Sequence, residues 1–356
     1  MSSIEPPILA TPAATSRARN GLSNKVPLSA LYLMTDAVFD DVYGPEERAS
    51  LAARVAIPDR LITPQHYRGS TETWPEVEVL FSGWGMVPMD EVFFQRLPNL
   101  KVVFYAAGTV KDLVTDIFWQ RKIRLTSAAS ANAVPVSEFT LSQILFALKH
   151  GWQEAISVRK HRRWPAPAFK PGAYQTTVGL ISLGSIGRLV AEKLQHFDLN
   201  VIAYDPFFPP EEAAKLGVAL VTLEEVFSQS DVVSCHAPLL KETEGMIRGA
   251  HFELMKAGST FINTARGAVV MEEEMIGVLK QRPDLFALLD VTHPMPPEES
   301  SPLYRMDNVI VTPHIAGSLG HECRRMGRLM VEEFDRYLAG KPLWHEIDLE
   351  KFHSMA

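Results

Sequence analysis

Two residues in the second half of the chain carry side chains suited to carboxylic-acid chemistry. Arg266 lies in FINTARGAVV and His314 in NVIVTPHIAG, each where a β-rich apolar run gives way to a turn. A guanidinium is a planar fork that grips a carboxylate through two parallel hydrogen bonds. An imidazole exchanges protons with an alcohol or ketone oxygen near neutral pH. Taken singly, each has an ordinary structural reading: an arginine in a surface ion pair, a histidine capping the next helix. Together, behind a phosphate-binding turn, they point to catalysis.

That turn is VGLISLGSIG, residues 178–187, a strand that breaks at glycines and leads into the helical stretch RLVAEKLQHF. In the G-x-G-x-x-G fingerprint Ser182 stands first, Gly184 second and Gly187 third. Gly184 lets the backbone approach a pyrophosphate, and Gly187 lets the helix pack closely on the strand. The helix start through Ser185 and Ile186 then offers unpaired N–H groups to the anion. Asp205 closes NVIAYD, 21 positions after Gly184. A carboxylate there accepts hydrogen bonds from the adenosine ribose hydroxyls and repels a 2′-phosphate, which favours NAD over NADP. Ser182 brings a Cβ to a place that usually lacks one, which bears on affinity more than on identity.

The elements that must position these groups follow an α/β rhythm. From Leu28 a first unit runs through SALYLM, VEVLFSG (77–83), KVVFYAA (101–107) and IRLTSAA (123–129), with helix-like stretches between them. A long helix, VPVSEFTLSQILFALKH (134–150), is expected to open with Pro135 near its first turn. A proline-rich connector, HRRWPAPAFKPGAY (161–174), comes next. Beyond it lie seven strand candidates: TVGLISL, NVIAYD, VALVT, DVVSCHAP, STFINTA, FALLDV and NVIVTPH. Such continuous apolar strands imply a parallel sheet covered on both faces. A final helix is expected within HECRRMGRLMVEEFDRYLAG (321–340).

The bulk composition excludes several classes. The 356 residues carry a net charge of −7, with 46% hydrophobic and 22% charged, so nothing draws the chain to nucleic acid. No apolar run approaches the roughly 18 residues of a membrane span. Cys235 and Cys323 are far apart and form no ligand motif, so neither a metal site nor a disulfide framework is expected, and a cytoplasmic, reducing setting is. Residues 1–27 are rich in Ser, Pro, Ala and Thr and read as a disordered tail. The basic run Arg159–Arg163 reads as a solvated connector or as a contact for a cofactor phosphate.

The segments ANAVPVSEFTL, VGLISLGSIG, VIAYDPF, DVVSCHAPLLKETEGMI, FINTARGAVV, LLDVTHPMPPEESSPLY and VIVTPHIAGS, in this order, resemble the D-isomer-specific 2-hydroxyacid dehydrogenases from about Leu28 to Ile347. The resemblance implies two Rossmann-like or flavodoxin-like α/β domains with doubly wound parallel sheets and an active site in the cleft between them. Residues 28–150 plus 321–356 would form the substrate domain and 151–320 the NAD domain. Arg266 would bind the substrate carboxylate and carbonyl, and His314 would be the acid/base. Substrate would also meet the loops Ser82–Gly85 and Ala106–Thr109, with Trp84, Gly85 and Gly108. His236, Ala237, Pro238, Thr264, Ala265, Asp290 and Gly317 would line the dinucleotide with Gly184, Ser185, Ile186, Gly187 and Asp205. A small 2-keto or 2-hydroxy acid as substrate and a homodimeric assembly are further implications.

One position departs from the family pattern. The carboxylate that orients the acid/base histidine should stand five residues after Asp290, and this chain has Met295 there. A thioether carries no charge and accepts hydrogen bonds weakly. Three outcomes are open: slower turnover at neutral pH, replacement by Glu298 or Glu299 despite Pro296-Pro297, or a dinucleotide-binding sensor or scaffold that has lost turnover.

Overall fold

The computed structural model describes residues 28–166 and 168–354; the tail expected at 1–27 lies outside the described residues. Two parallel sheets organise the chain. The first has the order β2-β1-β3-β4-β5, built from β1 (Ala30–Leu33), β2 (Leu61–Ile62), β3 (Val79–Ser82), β4 (Val102–Tyr105) and β5 (Arg124–Ser127). The second has the order β12-β11-β10-β9-β6-β7-β8. Its strands are β6 (Tyr174–Ile181), β7 (Asp198–Tyr204), β8 (Val218–Leu220), β9 (Val232–Cys235), β10 (Thr260–Asn263), β11 (Phe286–Leu289) and β12 (Val309–Val311). All seven apolar runs predicted after the connector form these strands.

Side-chain alternation sends each sheet's residues into two cores. In the first sheet Leu31, Leu33, Leu80, Val103 and Leu125 enter one cluster, while Ala30, Tyr32, Val79, Phe81 and Phe104 enter the other. The second sheet divides likewise, with Ile181, Val233, Phe261 and Leu289 on one side and Val178, Leu180, Ile262 and Leu288 on the other. Burial on both faces explains why these strands read as unbroken apolar runs. Each large side chain so buried contributes about 1.5–3 kcal/mol relative to exposure.

Two helices tie the sheets together. The helix Ala129–Ala147 buries Ala131 with the first sheet and Ile144 and Ala147 with the second. It begins five residues before the predicted start, and Pro135 sits inside it rather than in its first turn. The segment ASANA upstream is rich in Ala, the strongest helix former, and this propensity carries the helix through the proline. The predicted C-terminal helix spans Cys323–Leu338, ends before Gly340 at φ +65°, and returns to the first sheet. There Met326, Met330 and Phe334 complete a core face, with Phe334 edge-on to Phe81 at 5.2 Å between ring centroids.

The connector is entered from a helix that periodicity did not single out, Gly151–His161. The basic run closes this helix: Lys160 pairs with Asp307, while Arg159, Arg162 and Arg163 are exposed. This is the solvated-connector arrangement, with no placement against the phosphate-binding turn. Cys235 and Cys323 are buried free thiols. No helix among the described residues is long and apolar enough to cross a membrane.

Candidate active site

In the seven-stranded sheet the connection order reverses between β6 and β9, and in open α/β sheets ligands bind outside the carboxyl ends of strands at such a point. The turn after β6 lies on one side of it and His236, directly after β9, on the other.

The turn has the geometry of an anion cradle. Gly184 is the N-cap of the helix Ser185–Leu194 and supplies no side chain to cap it, so the first N–H groups, on Ser185, Ile186 and Gly187, remain available to a ligand. A Cβ on Gly187 would lie 2.1 Å from the Ser182 carbonyl oxygen, which makes that glycine obligatory. Ser182 occupies the left-handed region at φ +76°, where a side chain is tolerated only at some cost.

Asp205 differs from the sequence expectation of a carboxylate open to ribose. Its Oδ2 accepts from the Leu183 N–H at 2.8 Å and from the Ser182 hydroxyl at 3.4 Å. Its Oδ1 accepts from the N–H groups of Phe207 at 2.9 Å and Phe208 at 3.1 Å. Backbone donors on both sides of the carboxylate, which no residue spacing reveals, draw it into the turn.

His236 is buried, its Nε2 3.0 Å from the Ser234 hydroxyl and its Nδ1 without a partner. Burial pushes its pKa down to about 3, so the ring is neutral. A buried imidazole nitrogen left unpaired beside a phosphate-binding turn fits a site completed by a ligand. Ala237 is buried behind it, and the Pro238 carbonyl accepts the Thr243 hydroxyl at 2.6 Å.

Arg266 follows β10. Asn263 shapes its loop, accepting from the Ala265 N–H and donating to the Arg266 carbonyl, each at 3.0 Å. The guanidinium bonds the Ala265 carbonyl at 2.7 Å and is only partly exposed. Burial lowers its pKa from the ordinary value, against a raising influence from Asp112. Asp112 belongs to the loop after β4, so the carboxyl ends of the two sheets address each other here. It closes no ion pair with Arg266, and the guanidinium meets no carboxylate among the described residues. Thr264 is buried, with its hydroxyl 3.0 Å from that of Thr140 on the long helix.

His314 follows β12 at φ +55°, with an exposed ring that makes no hydrogen bond among the described residues. Asp290, expected to line the dinucleotide, uses both carboxylate oxygens on the loop that carries His314. It accepts from the Thr312 hydroxyl at 2.6 Å and the Ile315 and Ala316 N–H groups at 2.8 and 2.9 Å. Its carbonyl accepts from the His314 N–H at 3.1 Å. Gly317 lies against Asn132, whose side chain accepts the Ser318 N–H at 2.9 Å and joins this loop to the long helix.

Met295 is exposed, and neither Glu298 nor Glu299 makes a side-chain hydrogen bond or ion pair among the described residues, so no carboxylate engages His314. His293 is an exposed loop residue whose N–H donates to Glu272 at 2.9 Å. In the first sheet, Trp84 and Gly85 follow β3 and Gly108 follows β4. Trp84 is half-buried and packs on both cores of the first sheet, while Gly85 needs its φ of +80°. The Gly108 carbonyl accepts from Ser127 at 2.5 Å. Asp112 in its loop, and Asn132 and Glu272 in the first turns of their helices, went unseen as site-shaping residues because an isolated polar residue leaves no periodic signal. The described residues contain no cluster of metal-ligating side chains.

Comparison with known proteins bears on this geometry directly. Residues 141–316 match the family model described as "D-isomer specific 2-hydroxyacid dehydrogenase, NAD binding domain". The D-3-phosphoglycerate dehydrogenase of Archaeoglobus fulgidus is 33% identical over 262 residues, covering 73% of this chain and 50% of that protein. A putative 2-hydroxyacid dehydrogenase of Bacillus subtilis, YoaD, is 33% identical over 233 residues, 63% of this chain and 67% of its own length. The chain spans about half the length of the phosphoglycerate dehydrogenases that it matches. Among solved structures, a D-isomer specific 2-hydroxyacid dehydrogenase from Xanthobacter autotrophicus in complex with NADPH and MES superposes with a TM-score of 0.72 at 25% identity, covering 91% of this chain and 99% of that one. D-2-hydroxyisocaproate dehydrogenase, at 21% identity and a TM-score of 0.74, shares the fold, with 90% and 99% coverage.

Proposed function

The chain belongs to the D-isomer specific 2-hydroxyacid dehydrogenase family, and we propose that it is an NAD-dependent oxidoreductase interconverting a small 2-ketoacid and its D-2-hydroxyacid. The observation that carries this reading is Arg266: a largely buried guanidinium with no carboxylate partner among the described residues, at a strand end of the nucleotide-binding sheet. Burying an unpaired charge is costly, and a substrate carboxylate supplies the missing partner.

In this reading the helix start at Ser185–Gly187 and His236 hold the dinucleotide, which when bound gives or takes a hydride at carbon 2 of the acid. Arg266 orients the carboxylate and polarises the carbonyl oxygen. His314 donates its proton to that oxygen on reduction and takes one from the hydroxyl on oxidation. The loops carrying Gly85 and Gly108 hold the acid from the first sheet, which acts as the substrate domain. The neutral His236 contributes no charge to the exchange.

The same proposal includes a homodimer in the cytoplasm. In the connector Trp164, Phe169 and Tyr174 are 91%, 88% and 67% exposed, and a second copy of the chain is their proposed cover. Two buried reduced thiols suit a reducing compartment.

The test mixes purified protein with NADH and a panel of 2-ketoacids from roughly pH 5 to 8, the range in which histidine titrates. NADH oxidation with at least one acid is the expected outcome. Cofactor binding without turnover on any acid would remove the enzymatic reading.

A further inference from the structure

We propose that the Ser182 hydroxyl competes with the adenosine ribose for the Asp205 carboxylate, so that Ser182 sets how tightly this site holds its dinucleotide. The inference rests on the cofactor reading above.

A carboxylate offers about four lone-pair positions. Asp205 has four donors on them: Leu183 and Ser182 on one oxygen, Phe207 and Phe208 on the other. Three are backbone N–H groups at 2.8, 2.9 and 3.1 Å, fixed by the turns to which they belong. The fourth, the Ser182 hydroxyl, is the longest at 3.4 Å and the only one on a rotatable side chain. A ribose hydroxyl arriving at Asp205 therefore gains a full hydrogen bond only by displacing that of Ser182.

Asp205 is the only acceptor that the Ser182 hydroxyl meets among the described residues. Exchange thus replaces one hydrogen bond with another instead of adding one. The backbone of Ser182 lies at φ +76°, a conformation that glycine adopts without the cost paid by serine. Ser182 is in this sense a positioning residue, acting on the cofactor through Asp205.

Dissociation constants for NADH, followed by nucleotide fluorescence, test this with Ser182→Ala and Ser182→Gly in the full-length protein. Both substitutions are expected to tighten NADH binding by up to about fivefold, the worth of one ordinary hydrogen bond, because the contact displaced is a long one. In turnover the gain should fall on KM for NADH rather than on kcat. Reduced nicotinamide mononucleotide lacks the adenosine ribose, so its binding should not change, whereas a general reshaping of the turn would alter both ligands. Ser182→Gly should also raise the Tm by relieving the backbone.

NADH binding that is unchanged or weakened in Ser182→Ala overturns the inference, as does an equal gain for the mononucleotide. A wild-type protein that binds no NADH overturns the cofactor reading and this inference with it. Normal wild-type binding with no gain in the variants overturns this inference alone.

Discussion

At the scale of single residues, the proposed site rests on Arg266 and His314, neither of which has a carboxylate partner among the described residues. Met295 stands where that partner is expected, and its exposed side chain can give way to a charged one of similar length. Met295→Glu should therefore raise kcat/KM for ketoacid reduction near neutral pH. A carboxylate beside the ring favours the imidazolium, the form that donates the proton in reduction. Pre-steady-state and steady-state rates at pH 7 provide the check, and no increase would mean that the loop does not bring residue 295 to His314. The positions of Arg266, His314 and Gly187 were legible because strand ends and glycine spacing leave marks in the sequence. The partners of Asp205 and Asp290 were not. Both follow strand ends, but backbone N–H groups surround their carboxylates, and every residue except proline carries one.

At the scale of elements, strands buried on both faces announced themselves as continuous apolar runs, and all seven after the connector were legible. The two-residue β2 and the helix Pro64–Gly69 are too short for periodicity to register. The early start at Ala129 was hidden because Pro135 reads as a boundary when it in fact lies within the helix. Between elements, Glu47 is a buried carboxylate on the helix Pro45–Ala52, held by Arg324 at 2.8 Å and Arg328 at 3.2 Å from the C-terminal helix. Burial works against its charge, but the arginine hydrogen bonds prevail and hold its pKa below the ordinary value. Glu47→Gln should destabilise the fold by about 1–3 kcal/mol, less than a fully buried pair because both arginines keep contact with water. Urea unfolding measures this, and an unchanged midpoint would show that the contact holds nothing together.

At the scale of the whole molecule, acid stability follows from His236. Its folded pKa of about 3 lies far below the ordinary histidine value of about 6.5, so the unfolded chain takes up a proton that the folded protein refuses. Its contribution is fully present above about pH 6.5 and is lost progressively as the pH falls toward 3. The slope reaches at most about 1.4 kcal/mol per pH unit. Replacing His236 with Gln should flatten the decline in Tm between about pH 6 and 4 relative to wild type; parallel curves would contradict the burial argument.

The return of the helix Cys323–Leu338 to the first sheet also has a consequence in time. Strands β1 to β5 leave the ribosome early, yet Met326, Met330 and Phe334, which close one of their core faces, follow roughly 200 residues later. At ordinary elongation rates that is about 10–40 s, during which Phe81 and Phe104 lack their cover. The seven-stranded sheet, whose own strands are contiguous in the chain, can close while the older one is still waiting. The half of the protein made first is therefore finished last, and during synthesis it is the half in need of a chaperone.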